Sequence, residues 1–159
     1  MQFRIGFGYD VHKLETGREL ILGTVAIKHH KGSVAHSDGD VLLHAICDAL
    51  LGAAALRDIG FHFPDTDARY KGISSSILLS KVHDKIVENG YSISNIDSTI
   101  ALQTPKISSY IPEMQEKIAE ILHLSPNQVS VKATTTEKLG FEGREEGISA
   151  TAVALIFKN

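Results

Sequence analysis

The chain of 159 residues has a single cysteine, Cys47, which excludes an internal disulfide and any cysteine-based zinc motif. Cys47 sits inside an apolar helical stretch and reads as a small buried hydrophobe. No block of five or more like charges occurs, and the formal net charge is only −3. Neither a nucleic-acid groove nor a polybasic membrane surface is therefore indicated. No run approaches the roughly 18 apolar residues of a membrane span. Met1-Gln2-Phe3-Arg4 carries no signal-peptide pattern, so the expectation is a cytoplasmic protein. Linkers of low complexity, repeats and composition shifts are missing as well, which leaves one domain over residues 1–159. Glycine-rich phosphate cradles are also absent. Gly6-x-Gly8 would need a third glycine at position 11, where Val11 stands, and no Walker-type run occurs anywhere. Any phosphate must be held by other means.

What the chain does have is core-forming material. With 43% hydrophobic and 22% charged residues, a chain of this length buries about 68–70% of its unfolded surface and needs no metal merely to fold. A first strand is expected near residues 2–9, with short extended pieces at Leu20–Leu22 and Val25–Ile27. A helix starting near Ser37 or Asp38 carries Val41, Leu42, Ala45, Ile46, Ala49 and Leu50 at 3.6-residue spacing and ends near Gly52. Arg57 to Gly72 has no regular period and reads as a loop. A second helix follows Ser74-Ser75-Ser76 and stops at Asn89-Gly90. Ile96, Ser98, Ile100 and Leu102 share one strand face, Pro112 opens a third helix, and Val129 to Ala133 forms a strand. Ile148 to Phe157 is apolar at nearly every position and predicts a strand covered on both faces. The expected class is α/β of the α+β type: a single layer of mixed β-sheet with helices packed on one face.

Chemistry concentrates in two places. A strand period of two puts Asp10 and His12 on one face and turns Val11 the other way, into apolar packing. His44 follows on the first helix, and one carboxylate with two imidazoles could hold Zn²⁺ with a fourth position open, as in catalytic sites. Asp-x-His alone also fits an ordinary hydrogen-bonding histidine. Asp40, His44 and Asp48 form one helical stripe, which reads either as a solvated polar face or as a ligand with Asp40 or Asp48 supporting its second ring nitrogen. The second place is Lys132 to Gly147. Thr134, Thr135 and Thr136 read as β-branched strand residues, with solvated charges following in a hairpin loop. The same stretch also reads as phosphate donors with Glu137 as an oxygen ligand for Mg²⁺.

Taken together, Gly8-Tyr9-Asp10-Val11-His12, Ala35-His36-Ser37-Asp38-Gly39-Asp40, Leu50-Leu51-Gly52-Ala53-Ala54-Ala55, Asp58-Ile59-Gly60, Phe63-Pro64-Asp65-Thr66-Asp67 and Lys132 to Gly147 resemble the 2-C-methyl-D-erythritol 2,4-cyclodiphosphate synthase family. The resemblance runs in order from near residue 4 to near residue 157. It implies a lyase of non-mevalonate isoprenoid biosynthesis that cyclises 4-diphosphocytidyl-2-C-methyl-D-erythritol 2-phosphate and releases CMP. It implies that Asp10, His12 and His44 bind zinc and Glu137 a magnesium or manganese ion. By the same resemblance His36, Ser37, Asp58, Gly60 and Asp65 contact the methylerythritol phosphate part. Lys106 and the Ala133–Thr135 backbone form a cytidine pocket, and Thr135 and Thr136 reach phosphate. Catalytic parts fall to His36, Thr135 and Glu137.

The resemblance further implies a homotrimer with active sites shared between subunits. Gly140, Phe141, Arg144 and Glu146 would lie near a cavity on the trimer axis, a possible place for an isoprenoid diphosphate, with Arg144 and Glu146 also readable as an ion pair between subunits. Two positions depart from the family's commoner pattern. Phe7 stands where many members have histidine, and Phe61-His62 replaces a Lys-Leu type pair. A zinc-dependent phosphohydrolase and a non-catalytic nucleotide-binding trimer are the rival readings.

Overall fold

The computed structural model describes residues 2–64, 66–70 and 72–158. Five strands form one mixed sheet in the order β4-β1-β7-β5-β6. They are β1 (Gln2–Thr16), β4 (Lys31–Val34), β5 (Ser92–Ala101), β6 (Val129–Thr134) and β7 (Gly147–Lys158). All pairings are antiparallel except β5 with β6. The hairpin of β2 (Leu20–Leu22) and β3 (Val25–Ile27) is a separate two-stranded sheet. Helices α1 (Val41–Ala53), α3 (Ser75–Glu88) and α4 (Ile111–Ile121) complete the frame, with single turns α2 (Ile59–His62) and α5 (Gly140–Gly143).

The core lies between one sheet face and α1. Ile148, Ala150, Ala152, Ala154 and Ile156 of β7 point inward with Ile96 and Ile100 of β5, all nearly solvent-free. On α1, Leu42, Leu43, Ala45, Ile46, Ala49, Leu50 and Leu51 are fully buried. Apolar residues all round this helix suit an element enclosed by sheet on one side and α3 on another. Cys47 is buried among them, as its sequence context suggests. Burial pushes its thiol pKa well above the usual value, which makes it inert.

Gly6 and Gly8 explain how closely α1 lies on β1. A Cβ on Gly6 would come within 1.8 Å of the Ala49 carbonyl oxygen, so backbone meets backbone. The Gly-x-Gly pair thus serves helix–strand packing rather than a phosphate.

Several boundaries differ from the sequence expectation. β1 continues to Thr16 rather than ending near residue 9, so Asp10 and His12 lie within the strand. Its pairing with β7 runs to Lys13–Gly147 and sustains it. Helix α1 starts at Val41 with Asp40 as N-cap, because Gly39 has φ +75° and breaks the helical path before it. The expected loop from Arg57 to Gly72 contains α2 and a 3₁₀ turn at Ala68–Tyr70. Asp58 caps α2 and Asp48 accepts from its first amide, Ile59 N, at 2.8 Å. The hairpin loop expected after the threonines holds the turn α5.

The outer face of the sheet is the largest departure. Phe3, Ile5, Phe7, Tyr9 and Val11 line β1 on the side away from α1, and Ile5 and Phe7 are 72% and 64% exposed. Val153 of β7 joins them. Val11 therefore turns away from Asp10 and His12 as expected but stays exposed rather than buried in apolar packing. β7, expected to be covered on both faces, is covered on one.

Candidate functional site

A cleft of about 330 Å³ opens where the inner face of β1, the β4–α1 connection, α1 and α2 converge. Asp10 and His12 enter it from β1, Ala35, His36 and Ser37 from the connection, and His44 from α1. Ile59, Phe63, Ile73 and Leu78 supply an apolar wall, with Gly60 and Tyr70 beside them. The connection is tied to the segment before α3 by hydrogen bonds from Gly72 N to His36 O and from Asp38 N to Ile73 O. Phe63 and Tyr70 pack edge to face, their ring centroids 5.4 Å apart.

Asp10 Oδ2 lies 3.1 Å from His12 Nε2 and 3.0 Å from His44 Nδ1. One ligand atom from each residue falls within 4.8 Å of the others, the only such group of three among the described residues. His12 Nε2 is buried and makes no hydrogen bond in acceptable geometry. A buried nitrogen without a partner is costly unless something else takes its lone pair. One hard oxygen and two imidazole nitrogens form a suitable donor set for a divalent ion such as zinc.

The electrostatics agree. Burial raises the Asp10 pKa, but the close His12 and His44 imidazoles outweigh it and hold the carboxyl well below its usual range. Burial depresses the His44 pKa, and the hydrogen bond and charge of Asp10 overcome that and raise it. Each member of the Asp10–His44 pair thus favours the charged form of the other.

Neither Asp40 nor Asp48 supports His44. Asp40 is fully buried and accepts from Gly23 N, Thr24 N and Leu43 N, fastening the β2–β3 turn to the start of α1. Desolvation raises its pKa to about 6 against those three amides. The supporting groups are hydroxyls instead. Ser75 Oγ lies 2.9 Å and Ser37 Oγ 3.3 Å from His44 Nε2. Ser75 and Asp38 carried no sequence signal beyond that of helix starts.

The remaining expected residues fall into three groups. Asp58 is exposed and its Oδ1 caps Phe61 N at 2.8 Å, leaving one oxygen free; Asp65 lies outside the described residues. Lys106 and Ala133–Glu137 line no part of the cleft. Their two loops do meet each other, through Leu102 N to Thr134 O at 3.0 Å and Lys138 N to Gln103 Oε1 at 3.2 Å. Glu137 and Lys138 both have positive φ, 55° and 65°, and Glu137 Oε1 accepts from Thr135 Oγ1 at 3.0 Å. Thr136 Oγ1 donates to Leu139 O, and the sheet register places Thr134 three strands from Val11 at the same level. Three strand spacings amount to about 14 Å.

In the third group, Phe141 packs against Gly147, while Gly140 begins α5. Arg144 pairs with Glu146 in a two-pronged contact at 3.0 Å. Phe7 is on the exposed outer face, Phe61 lies under the Arg57 guanidinium at 3.9 Å, and His62 Nε2 donates to Leu56 O.

Comparison with known proteins places this architecture. The family model described as YgbB family matches residues 3–157. The 2-C-methyl-D-erythritol 2,4-cyclodiphosphate synthase of Porphyromonas gingivalis is 60% identical over 97% of this chain and 95% of its own. That of Bacteroides thetaiotaomicron is 57% identical over the whole of both chains. Among solved structures, the bifunctional IspDF from Campylobacter jejuni aligns with a TM-score of 0.94 at 44% identity, over 98% of this chain and 42% of that one. IspF from Plasmodium falciparum in a CDP complex aligns with a TM-score of 0.87 at 37% identity, over 99% of this chain and 97% of the other. The fold, the Asp10–His12–His44 cluster and these matches agree: the chain belongs to the YgbB family, together with curated relatives that are 2-C-methyl-D-erythritol 2,4-cyclodiphosphate synthases.

Proposed function

We propose that the chain converts 4-diphosphocytidyl-2-C-methyl-D-erythritol 2-phosphate to 2-C-methyl-D-erythritol 2,4-cyclodiphosphate and CMP, a step of non-mevalonate isoprenoid precursor synthesis. The observation that carries this reading is the Asp10–His12–His44 cluster, in a chain 60% identical to a synthase of that name. An oxygen of the 2-phosphate bonds to the β-phosphorus, the bond from that phosphorus to the bridging oxygen breaks, and the electron pair leaves with CMP. The obstacle is repulsion between anionic groups. Asp10, His12 and His44 would hold zinc and Glu137 magnesium or manganese, and these ions would supply neutralisation of the phosphate charge.

The protein's own part is positioning. His36 and Ser37 border the cleft on its polar side and hold the methylerythritol phosphate end, with Asp58, Gly60 and Asp65 nearby in sequence. The apolar wall of Ile59, Phe63, Ile73 and Leu78 limits water around the reacting groups. Thr135 and Thr136 bind phosphate oxygens, and Lys106 with the Ala133–Thr135 backbone receives cytidine, in keeping with the CDP complex of the Plasmodium falciparum relative. Because attack is intramolecular, orientation replaces a bimolecular encounter, a gain equivalent to effective molarities of about 10⁵–10⁸ M. The phosphate needs no proton removed, so no residue acts as general base.

Association completes the site. Thr134, where the Glu137 loop leaves the sheet, stands about 14 Å from Val11 between Asp10 and His12, and the Glu137 loop lines no part of the cleft of its own chain. The exposed row Phe3, Ile5, Phe7, Tyr9 and Val11 is an apolar face of the kind that marks an interface. A homotrimer buries that face and brings one subunit's Glu137 to its neighbour's cleft. An isoprenoid diphosphate is the ligand proposed for the axis near Phe141 and Arg144. The setting is the cytoplasm, and residues 1–159 act as one domain.

The test is incubation with the cytidyl substrate and Mg²⁺, followed by phosphorus NMR. Release of CMP with the cyclic diphosphate is expected. A linear diphosphate would instead identify a zinc-dependent phosphohydrolase, and unchanged substrate a nucleotide-binding protein without turnover.

A further inference from the structure

Part of the cleft wall is built on an element that could not stand by itself. Helix α2 is a single turn, Ile59–His62, yet Ile59, Gly60 and the following Phe63 all border the cleft. One turn fixes several backbone angles for very few hydrogen bonds and is unstable in isolation. The chain reaches it through Ala55 and Arg57, whose φ values of 59° and 71° lie in the left-handed region. Neither is glycine, so this approach is strained and persists only where the surroundings enforce it.

Two side chains enforce it. The half-buried Asp48 projects from α1, and its Oδ1 accepts from Ile59 N at 2.8 Å. His62 Nε2 donates to Leu56 O at 2.7 Å, which draws the end of α2 back onto the strained approach. Ala55 N and Leu56 N are themselves tied to Gly52 O and Leu51 O at the end of α1. Among the described residues, Asp48–Ile59 is the one side-chain hydrogen bond that joins α1 to α2. The Asp58 cap on Phe61 N and the Arg57 guanidinium over Phe61 hold the turn's internal shape but reach no other element. The Ile59 side chain rests on the core, a contact without direction, and the hydrogen bond supplies the direction.

Asp48 stands about one helical turn beyond His44 on α1. One stretch of helix therefore carries both a member of the cation cluster and the anchor of the wall. We infer that Asp48 and His62 are positioning residues: pinned by them, the α2 turn holds Ile59, Gly60 and Phe63 at a fixed distance from the Asp10–His12–His44 cluster and so sets the length of phosphorylated polyol that the cleft accepts. Neither residue lines the cleft, so each acts through the backbone it holds. This inference deepens the proposed function and rests on it for the substrate, though not for the pinning.

The test follows amide hydrogen exchange at Ile59, zinc per chain, and kcat and KM for the cytidyl substrate with Mg²⁺. In the wild type the Ile59 amide should be protected from exchange. Asp48→Ala and His62→Ala should each speed its exchange about tenfold or more, as for a lost hydrogen bond to a partly buried group. KM should rise by a similar factor and kcat change less, because the wall grips substrate and transition state alike. Zinc per chain should stay as in the wild type. Asp48→Asn keeps an accepting oxygen and should bring exchange and KM back towards the wild type. Folded alanine variants that keep wild-type exchange and KM would overturn the inference, and so would variants that melt earlier but keep KM, the mark of a merely structural role. A wild-type Ile59 amide that exchanges like an unstructured one would overturn it even if neither alanine variant folds. Exchange needs no substrate: an Ile59 amide protected in the wild type and released in the variants, in a protein that leaves the cytidyl substrate unchanged, supports the pinning and sinks the proposed reaction alone.

Discussion

Gly8 of β1 and Ala45 of α1 are in backbone contact: a Cβ on Gly8 would stand 1.9 Å from the Ala45 carbonyl oxygen and 2.7 Å from the Ala49 nitrogen. Ala45 follows His44, and Gly8 precedes Asp10 on the same face of the strand. The depth at which the helix rests on the strand therefore sets the separation of Asp10 Oδ2 and His44 Nδ1. Gly8→Ala cannot be absorbed by a side-chain rotation, because both obstructing atoms are backbone. Overpacking of this kind costs typically 1–3 kcal/mol and more where backbone must move. The expected loss is about 3 kcal/mol or more, read as a fall in melting temperature of roughly 6–12 °C for a chain of this size. Zinc affinity should fall with it. A variant with unchanged urea midpoint and metal binding would show that the close approach does not matter.

Removing a ligand tests the cluster directly. His44→Ala should abolish bound zinc and turnover while leaving far-UV circular dichroism unchanged, because the His44 side chain borders the cleft and is no part of the core cluster. Metal analysis after dialysis measures it. Full zinc stoichiometry in the variant would remove His44 from the ligand set.

Acid should release the metal in a set order. The Asp10 pKa is depressed, so this carboxylate stays ionised well below pH 4, whereas the His44 pKa is raised above its ordinary 6.5. Protons thus compete for His44 first, already near neutrality, and apparent zinc affinity should weaken by up to about tenfold per pH unit below that point. Metal-free stability should run the other way. A raised histidine pKa adds stability that is complete below pH 6.5 and lost as pH climbs through the folded value. A depressed carboxylate pKa adds stability that is present above pH 3.8 and lost as pH falls. The metal-free protein should therefore be most stable between about pH 4 and 6.5. Zinc titrations and denaturant midpoints across this range check both slopes, and an affinity independent of pH would contradict them.

How far the site was legible in the sequence follows from what local spacing can encode. The period of two along β1 is a property of any strand, so Asp10 and His12 sharing a face could be read without a fold, and the structure keeps them together. His44 is 32 residues further on, and only the glycine contact makes it a neighbour. Asp40 was misplaced for the same reason. Its stripe with His44 is real, but the three amides it accepts come from a hairpin turn and a helix start that no helical spacing reveals. Ser75 and Asp38 meet across 37 residues and were invisible as a pair. The composition of β7 predicts cover on both faces, and the outer face is apolar at Val153, Leu155 and Phe157, yet the chain itself covers it less than the inner one.

Glu137 is the second place to test. Its exposed carboxylate accepts from Thr135 Oγ1, and its left-handed backbone, shared with Lys138, holds the loop in an unusual turn. Glu137→Gln keeps shape and hydrogen bond but removes the charge. The expected result is lower turnover and a higher Mg²⁺ or Mn²⁺ requirement, with zinc content unchanged. An unaltered metal titration would count against Glu137 as a ligand.

The outer face of β1 carries the last prediction. Phe3, Ile5, Phe7, Tyr9 and Val11 form one continuous row, and large exposed apolar rows are rare on monomers. Phe7→Asp places a charge in the middle of that row without touching the inner face, where Gly6 and Gly8 pack on α1. Burying an unpaired carboxylate at an interface costs several kcal/mol, enough to dissociate the assembly while each chain keeps its own core. Sedimentation should show the mass falling from three chains to one of 17.3 kDa. Turnover should fall with it, since Glu137 and the Asp10 cluster lie on opposite sides of one chain's sheet order, whereas zinc bound per chain should persist because all three ligands belong to a single subunit. A variant that stays trimeric, or a monomer that turns over like the wild type, would break the link between association and catalysis.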